Sequence, residues 1–169
     1  VRSEYGYEYF RDDVDASNKF RPIAAGGINP SGTSSIGGVF SDTTFSQGIF
    51  DFIVGLRYDT FTLNGSGTIT TGFPLLPAGP YTVDRTEGGF SPKVTLAAKP
   101  VEWLQPYVTY SESFRAPTVS EALLGGTHPT GVQATFQPNP FLESESQQGW
   151  EFGFNTIFDG LIVRQDAFR

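Results

Sequence analysis

The sequence predicts an all-β chain, an antiparallel segment of a transmembrane β-barrel, and three observations carry that reading. Aromatic residues fill 15% of the 169 positions, with 16 Phe, 7 Tyr and 2 Trp, against only 17% charged residues. Apolar and polar residues alternate along several stretches longer than the about 5–6 residues of a globular strand. The connections between these stretches run long, short, long, short, long, short, as in barrels with tight turns at one rim and long loops at the other.

Residues 2–12 (RSEYGYEYFRD) read as the first strand, followed by a long loop over 13–38 rich in Gly, Ser and Pro. A weaker strand over 39–46 meets a strong one over 49–63 across the tight pair Gln47-Gly48. In that strong strand Phe50, Phe52, Val54, Leu56 and Tyr58 share one face. Asp51, Gly55, Arg57 and Asp59 share the other, with Ile53 as the exception. A second long loop over 64–86 carries Pro74, Pro77 and Pro80, and a strand over 87–98 ends in the turn Lys99-Pro100-Val101-Glu102. Residues 104–114 form the next strand and 115–143 the third long loop. A strand over 144–158 sets Trp150, Phe152, Phe154 and Phe158 opposite Glu151, Gly153 and Asn155. The pair Asp159-Gly160 signals a hairpin into a last strand over 161–169. Pro92 and Pro106 fall inside strands, where a missing N–H weakens a ladder.

A soluble antiparallel sheet with one face on a core also alternates. Strand length separates the two readings, because about 9–11 tilted residues cross a bilayer. The barrel reading requires Phe52, Leu56, Phe152 and Phe154 to face hydrocarbon and not a closed core.

Composition excludes several functions. The chain has no Cys, hence no disulfide framework and no thiolate metal site. A net charge of −7 argues against nucleic acid as a partner, since phosphate binding needs clustered Lys and Arg. The opening residues read as lacking a signal peptide. No apolar run reaches the length of a membrane helix, so a membrane protein of this sequence must cross with strands. With no Cys and one His, no catalytic group assembles and no enzyme is expected. Asp12, Asp13 and Asp15 lack the glycine and the distal glutamate of a calcium loop.

Several segments carry a family resemblance. Residues 88–97 (GGFSPKVTLA) look like the FSPK strand of TonB-dependent receptor barrels, and Gly55-Leu56-Arg57-Tyr58-Asp59 looks like the family's GLRYD strand. Residues 107–117 (YVTYSESFRAP) resemble its YxxYSxxFRAP segment. Asn139-Pro140-Phe141-Leu142, followed by Trp150-Glu151-Phe152-Gly153-Phe154, resembles its NPNL…WELGF segment. The matches fall in the family's order from about Phe50 onward. The resemblance implies that residues 1–169 are a partial barrel domain of about seven strands, cut from a wall of about 22 strands, with plug and closing strands absent. It also implies a Gram-negative outer-membrane location, contact with membrane lipid, and energy supplied by TonB through the absent plug.

The lone histidine, His128, lies between Phe114-Arg115-Ala116-Pro117 and Asn139-Pro140-Phe141-Leu142. That arrangement resembles the haem and haemophore receptor branch. It implies that His128 is an axial haem ligand, with haem the transported ligand rather than a permanent cofactor and a haemophore or haemoprotein as its source. A neutral imidazole suits ferric haem, and no other metal role is implied. Phe141 stands where the branch has Asn, and Glu143-Ser144-Glu145 replaces its usual KPE. Uptake of a ferric siderophore or another nutrient is the alternative, as is an ordinary loop histidine at 128. Val119, Leu123, Leu124, Val132 and Phe136 are the candidates to cover the macrocycle. Arg115 either attracts a propionate or pairs with Glu112 or Glu121.

Overall fold

A computed structural model describes residues 1–16, 30–69, 78–127, 135–158 and 161–168. Seven strands form one antiparallel sheet, β1 (Arg2–Asp15), β2 (Ser31–Gln47), β3 (Phe50–Ile69), β4 (Gly79–Ala98), β5 (Leu104–Arg115), β8 (Glu145–Phe158) and β9 (Leu161–Phe168). They lie side by side in that order, an up-and-down meander. Between β5 and β8 the chain forms a short helix, α1 (Val119–Leu123), and a small hairpin, β6 (Gly126–Thr127) with β7 (Thr135–Phe136).

The strands run further than the sequence pattern predicts. The segment expected as loop over 13–38 contributes residues to both β1 and β2, and the second loop contracts to the stretch between Ile69 and Gly79. Gly48 carries the positive φ of +60° that a two-residue turn between Gln47 and Phe50 demands. The Asp159-Gly160 turn lies outside the described residues.

Pairing sorts side chains into two faces. One outer row runs Tyr7, Val39, Tyr58, Phe90 across four strands, and another runs Phe45, Phe52, Leu96, Val108, Phe152. Phe52, Leu56, Phe152 and Phe154 are between 37% and 54% exposed, so none packs into a closed core. Trp150 stacks beside Phe152, with ring centroids 6.3 Å apart, and lies 5.1 Å from Tyr110, on the same outer surface. A contiguous apolar surface of this extent is costly in water and at no cost in hydrocarbon.

The opposite, inner face is polar over the same span. Arg57 bridges Asp59 at 2.7 Å and Glu8 at 2.9 Å. Arg164 reaches Glu151 at 2.9 Å, and the Tyr107 hydroxyl donates to both Glu151 and Asp166. Thr95 and Thr109 hydroxyls meet at 2.7 Å. Paired charges are what a wall facing an aqueous interior tolerates.

Above Tyr58 the two faces exchange character. The outer positions of β3 become Thr60, Thr62, Asn64, Ser66 and Thr68, opposite Thr86, Asp84 and Thr82 of β4. The inner positions become apolar, and Phe61, Leu63 and Val83 are buried there. The one buried hydrophobic cluster among the described residues sits on this upper inner surface, where Val119, Ala122 and Leu123 of α1 cover it. The apolar outer band of β3, residues 50–58, has the length a tilted membrane strand needs.

Pro92 and Pro106 have a place in this scheme. The β4–β5 ladder joins only Lys93–Ala97 to Tyr107–Ser111. Pro92 is the first residue beyond its upper end and Pro106 the first beyond its lower end. Proline has no N–H to give, and the pairing stops at both. Above Pro92, β4 and β5 therefore part, while β5 stays paired with β8 up to Arg115 and Glu145.

Candidate functional site

The gap between upper β4 and β5 is filled by the two motif segments that the sequence singles out. Phe114 packs against the buried cluster, and its ring lies where a Cβ on Gly89 would stand, so glycine is required at that point of β4. The Phe114 N–H donates to Ser91 Oγ at 3.1 Å. Ala116 touches the cluster and Pro117 is buried. Thr118 then caps α1. Its hydroxyl accepts from the Glu121 N–H at 3.2 Å, and its own N–H donates to Glu121 Oε2 at 2.9 Å. This reciprocal capping box starts a helix of only five residues, too short to persist without its packing.

Arg115 pairs with Glu121 at 3.1 Å and Glu145 at 3.0 Å. It does not pair with Glu112, which accepts from the Tyr110 hydroxyl at 2.6 Å. Hydrogen bonds from the Thr118 backbone and the neighbouring Arg115 hold the Glu121 carboxyl below the usual glutamate range. Burial pushes the Tyr81 phenol up.

The second motif closes the loop from the other side. The Asn139 N–H donates to Ala122 O at 2.7 Å, tying the motif to α1. Asn139 Oδ1 accepts from the Phe141 N–H at 3.3 Å, and the Leu142 N–H donates to Asn139 O at 3.0 Å, which makes a tight turn. Pro140 is buried, Leu142 packs on the cluster, and Phe141 is exposed. From β4, Arg85 donates to Leu142 O at 2.8 Å and pairs with Glu87, which accepts from the Ser144 N–H at 3.2 Å and from its hydroxyl. An Arg–Glu pair on the wall thus holds the turn.

Phe114, Ala116, Pro117, Pro140 and Leu142 are therefore brought together, and Arg115 and Asn139 tie the segment to its neighbours. His128 and Val132 lie outside the described residues. Two of the residues expected to cover a macrocycle do something else: Val119 and Leu123 are fully buried against β2 and β3, because α1 turns its apolar side to the wall. Sequence reasoning missed α1, although Thr118 and Glu121 have the spacing of a capping box. It also missed Gly32, Gly65, Arg85 and Glu87, which have no local signature and become partners only through register.

A family model described as TonB dependent receptor-like, beta-barrel matches residues 1–169. The chain belongs to the TonB-dependent receptor family, a family of receptors and not of enzymes. Its similarities within that family are more particular. It is 25% identical over 142 residues to a "Probable TonB-dependent receptor" of Haemophilus influenzae, covering 83% of this chain and 15% of that protein. It is 25% identical over 124 residues to a "Hemin receptor" of Yersinia pestis, covering 69% of this chain and 16% of that one. With "Heme/hemopexin utilization protein C" of Haemophilus influenzae the identity is 32% over 94 residues, 52% of this chain and 13% of the relative. Among solved structures, the Serratia marcescens haemophore receptor HasR, in complex with its haemophore HasA and haem, matches 98% of this chain and 29% of its own, with a TM-score of 0.81 and 27% identity. The chain thus spans less than a third of each of these proteins.

Proposed function

We infer that this chain is part of the wall of a Gram-negative outer-membrane receptor that takes up haem, delivered by a haemophore or haemoprotein and driven inward with energy from TonB. The observation that carries the reading is the structural match to a haemophore receptor over 98% of the chain, at 27% identity and a TM-score of 0.81. Relatives named for hemin and for heme/hemopexin point the same way. The sheet ends in two open edges, β1 and β9, which a barrel must pair with further strands. The remaining wall and a plug domain belong, on this reading, to a longer protein. Haem is cargo and no cofactor is permanently bound; the protein is a transporter and performs no catalysis.

Within this reading His128 supplies the imidazole to haem iron, in a loop whose two ends the Phe114–Pro117 and Asn139–Leu142 segments fix to the wall. Arg115 already bridges two carboxylates, which supports a structural role for it and not propionate binding. The alternative is uptake of a ferric siderophore or another nutrient. The test is haem titration of the intact receptor with His128→Ala. Weakened binding and a displaced Soret band are expected. An unchanged affinity and spectrum would overturn the role of His128, and ferric-chelate binding without haem binding would establish the alternative.

A further inference from the structure

The parting of β4 and β5 above Pro92 leaves a recess on the outer surface, opposite the side on which the motif segments pack. It holds about 410 Å³ and is lined by Phe90, Glu112, Ser113, Phe114, Ser146 and the adjoining Gln147 and Gln148. Phe90 belongs to the outer row of Tyr58, and Glu112 faces Gln148 two residues beyond the outer pair Tyr110 and Trp150. Next to the recess runs an apolar groove of about 360 Å³, lined by Val94, Leu96, Val108, Tyr110 and Trp150. Tyr110 joins the two. Its ring lines the groove, and its hydroxyl donates to Glu112 at 2.6 Å and lies 3.4 Å from Gln148 Oε1. On β5 and β8 the apolar outer positions end at Tyr110 and Trp150, as aromatic residues do at a membrane border. The groove therefore lies within the apolar band and the recess at its upper edge.

We propose that these two cavities seat one membrane lipid with a sugar headgroup, an acyl chain in the groove and the sugar ring in the recess. The proposal rests on the membrane placement in the reading above and not on the cargo. Three observations select this occupant. The groove is continuous with the outer band that meets hydrocarbon, and its lining is aliphatic and aromatic. Above Pro92 no ladder pairs the facing edges of β4 and β5, so a bare hydrocarbon chain there would leave backbone polar groups without partners. The recess also offers one carboxylate, two amides, two hydroxyls and two phenyl rings, with no Lys or Arg among its lining residues. Carboxylate, amide and hydroxyl groups give and accept the hydrogen bonds of a polyhydroxyl ring, whose C–H face suits a phenyl. A phosphate headgroup would find no cation there and would meet Glu112 instead. An ethanolamine headgroup would bring its phosphate into the same recess.

The experiment reconstitutes the full-length receptor in phosphatidylcholine nanodiscs. They are doped equally with glucosyl diacylglycerol, diacylglycerol, phosphatidylethanolamine and phosphatidylglycerol of one chain length, and native mass spectrometry counts the lipid retained. The parent should keep one glucosyl diacylglycerol, about tenfold in preference to each of the others. Gln148→Leu and Ser146→Ala should each reduce that preference, and Val108→Trp, which fills the groove, should abolish retention. Ser35→Ala, on the same outer surface two strands away from β4, should change nothing. Circular dichroism of each variant confirms a folded barrel before lipids are counted. Equal retention of glucosyl diacylglycerol and diacylglycerol by the parent overturns the proposal, as does preference for either phospholipid. A sugar preference that survives both Gln148→Leu and Ser146→Ala overturns the assigned recess. A receptor that folds but stays out of the nanodiscs overturns the membrane placement instead, and the lipid seat falls with it.

Discussion

Leu63→Ala is the sharpest probe of how the β5–β8 loop is held. Leu63 is fully buried between the wall residues Phe61 and Val83 and the α1 residues Val119 and Leu123. Replacing a buried leucine by alanine costs about 2–5 kcal/mol through lost transfer energy and the cavity left behind. The wall on one side of that cavity is fixed by the β2–β3 and β3–β4 ladders, which run without a break through Leu63. The cost therefore falls mainly on the docked helix. At about 3 kcal/mol, near the middle of that range, the docking equilibrium shifts by about a hundredfold. Hydrogen exchange of the intact receptor reads this directly. The amides of Ala122 and Leu124, bonded to Thr118 O and Ser120 O, should exchange about two decades faster, while peptides from residues 50–58 keep their protection. Unchanged exchange in α1 would refute the claim that the cluster holds it. Equal acceleration in the 50–58 strand would refute the separation of the upper packing from the membrane band.

Three further outcomes are expected. Phe52→Lys should impair insertion into vesicles by about 2–4 kcal/mol, whereas Thr62→Lys, on the same face of the same strand, should cost under about 1 kcal/mol; equal effects in urea titrations of the folded barrel would remove the proposed boundary at Tyr58. Gly89→Ala should displace Phe114 and cost about 1–3 kcal/mol, and a double-mutant cycle with Phe114→Ala should recover part of it; strict additivity would mean the two do not touch. The Glu121 carboxyl is depressed in the folded loop, so its contribution is full above the ordinary glutamate value of 4.5 and is lost as pH falls through the lower folded value. Acid should therefore loosen α1 in the parent more than in Glu121→Gln, as followed by exchange of the α1 amides, and identical acid profiles would contradict the pairing.

How much of this could be seen in the sequence depended on which solvent each segment meets. The band from Phe50 to Tyr58 was legible because hydrocarbon outside and water inside impose a period of two, broken there only by Ile53. Beyond Tyr58 the strand continues, but Thr, Asn and Ser take the outer positions and glycine two of the inner ones, so Gly65-Ser66-Gly67-Thr68 looks like loop when it is paired strand. The same holds for residues 32–38, which read as loop and pair on both sides. Pro92 and Pro106 looked like defects within strands, and only the register shows that they bound a ladder. The two motif segments were visible as sequence; that Arg85 and Glu87 of a distant strand would hold them was not, because such partners are set by which strands lie adjacent.

The exchange of polarity at Tyr58 also works as a waterline. Sliding the sheet outward by two residues would lift Tyr58 clear of the hydrocarbon, and sliding it inward would drag Thr60 and Thr62 under. The depth of the protein is thereby pinned. From Thr60 to Ile69 the strand climbs about 30 Å at about 3.4 Å per residue, or about 20–25 Å of height at a tilt near 40°. The masthead so formed clears the lipid headgroups.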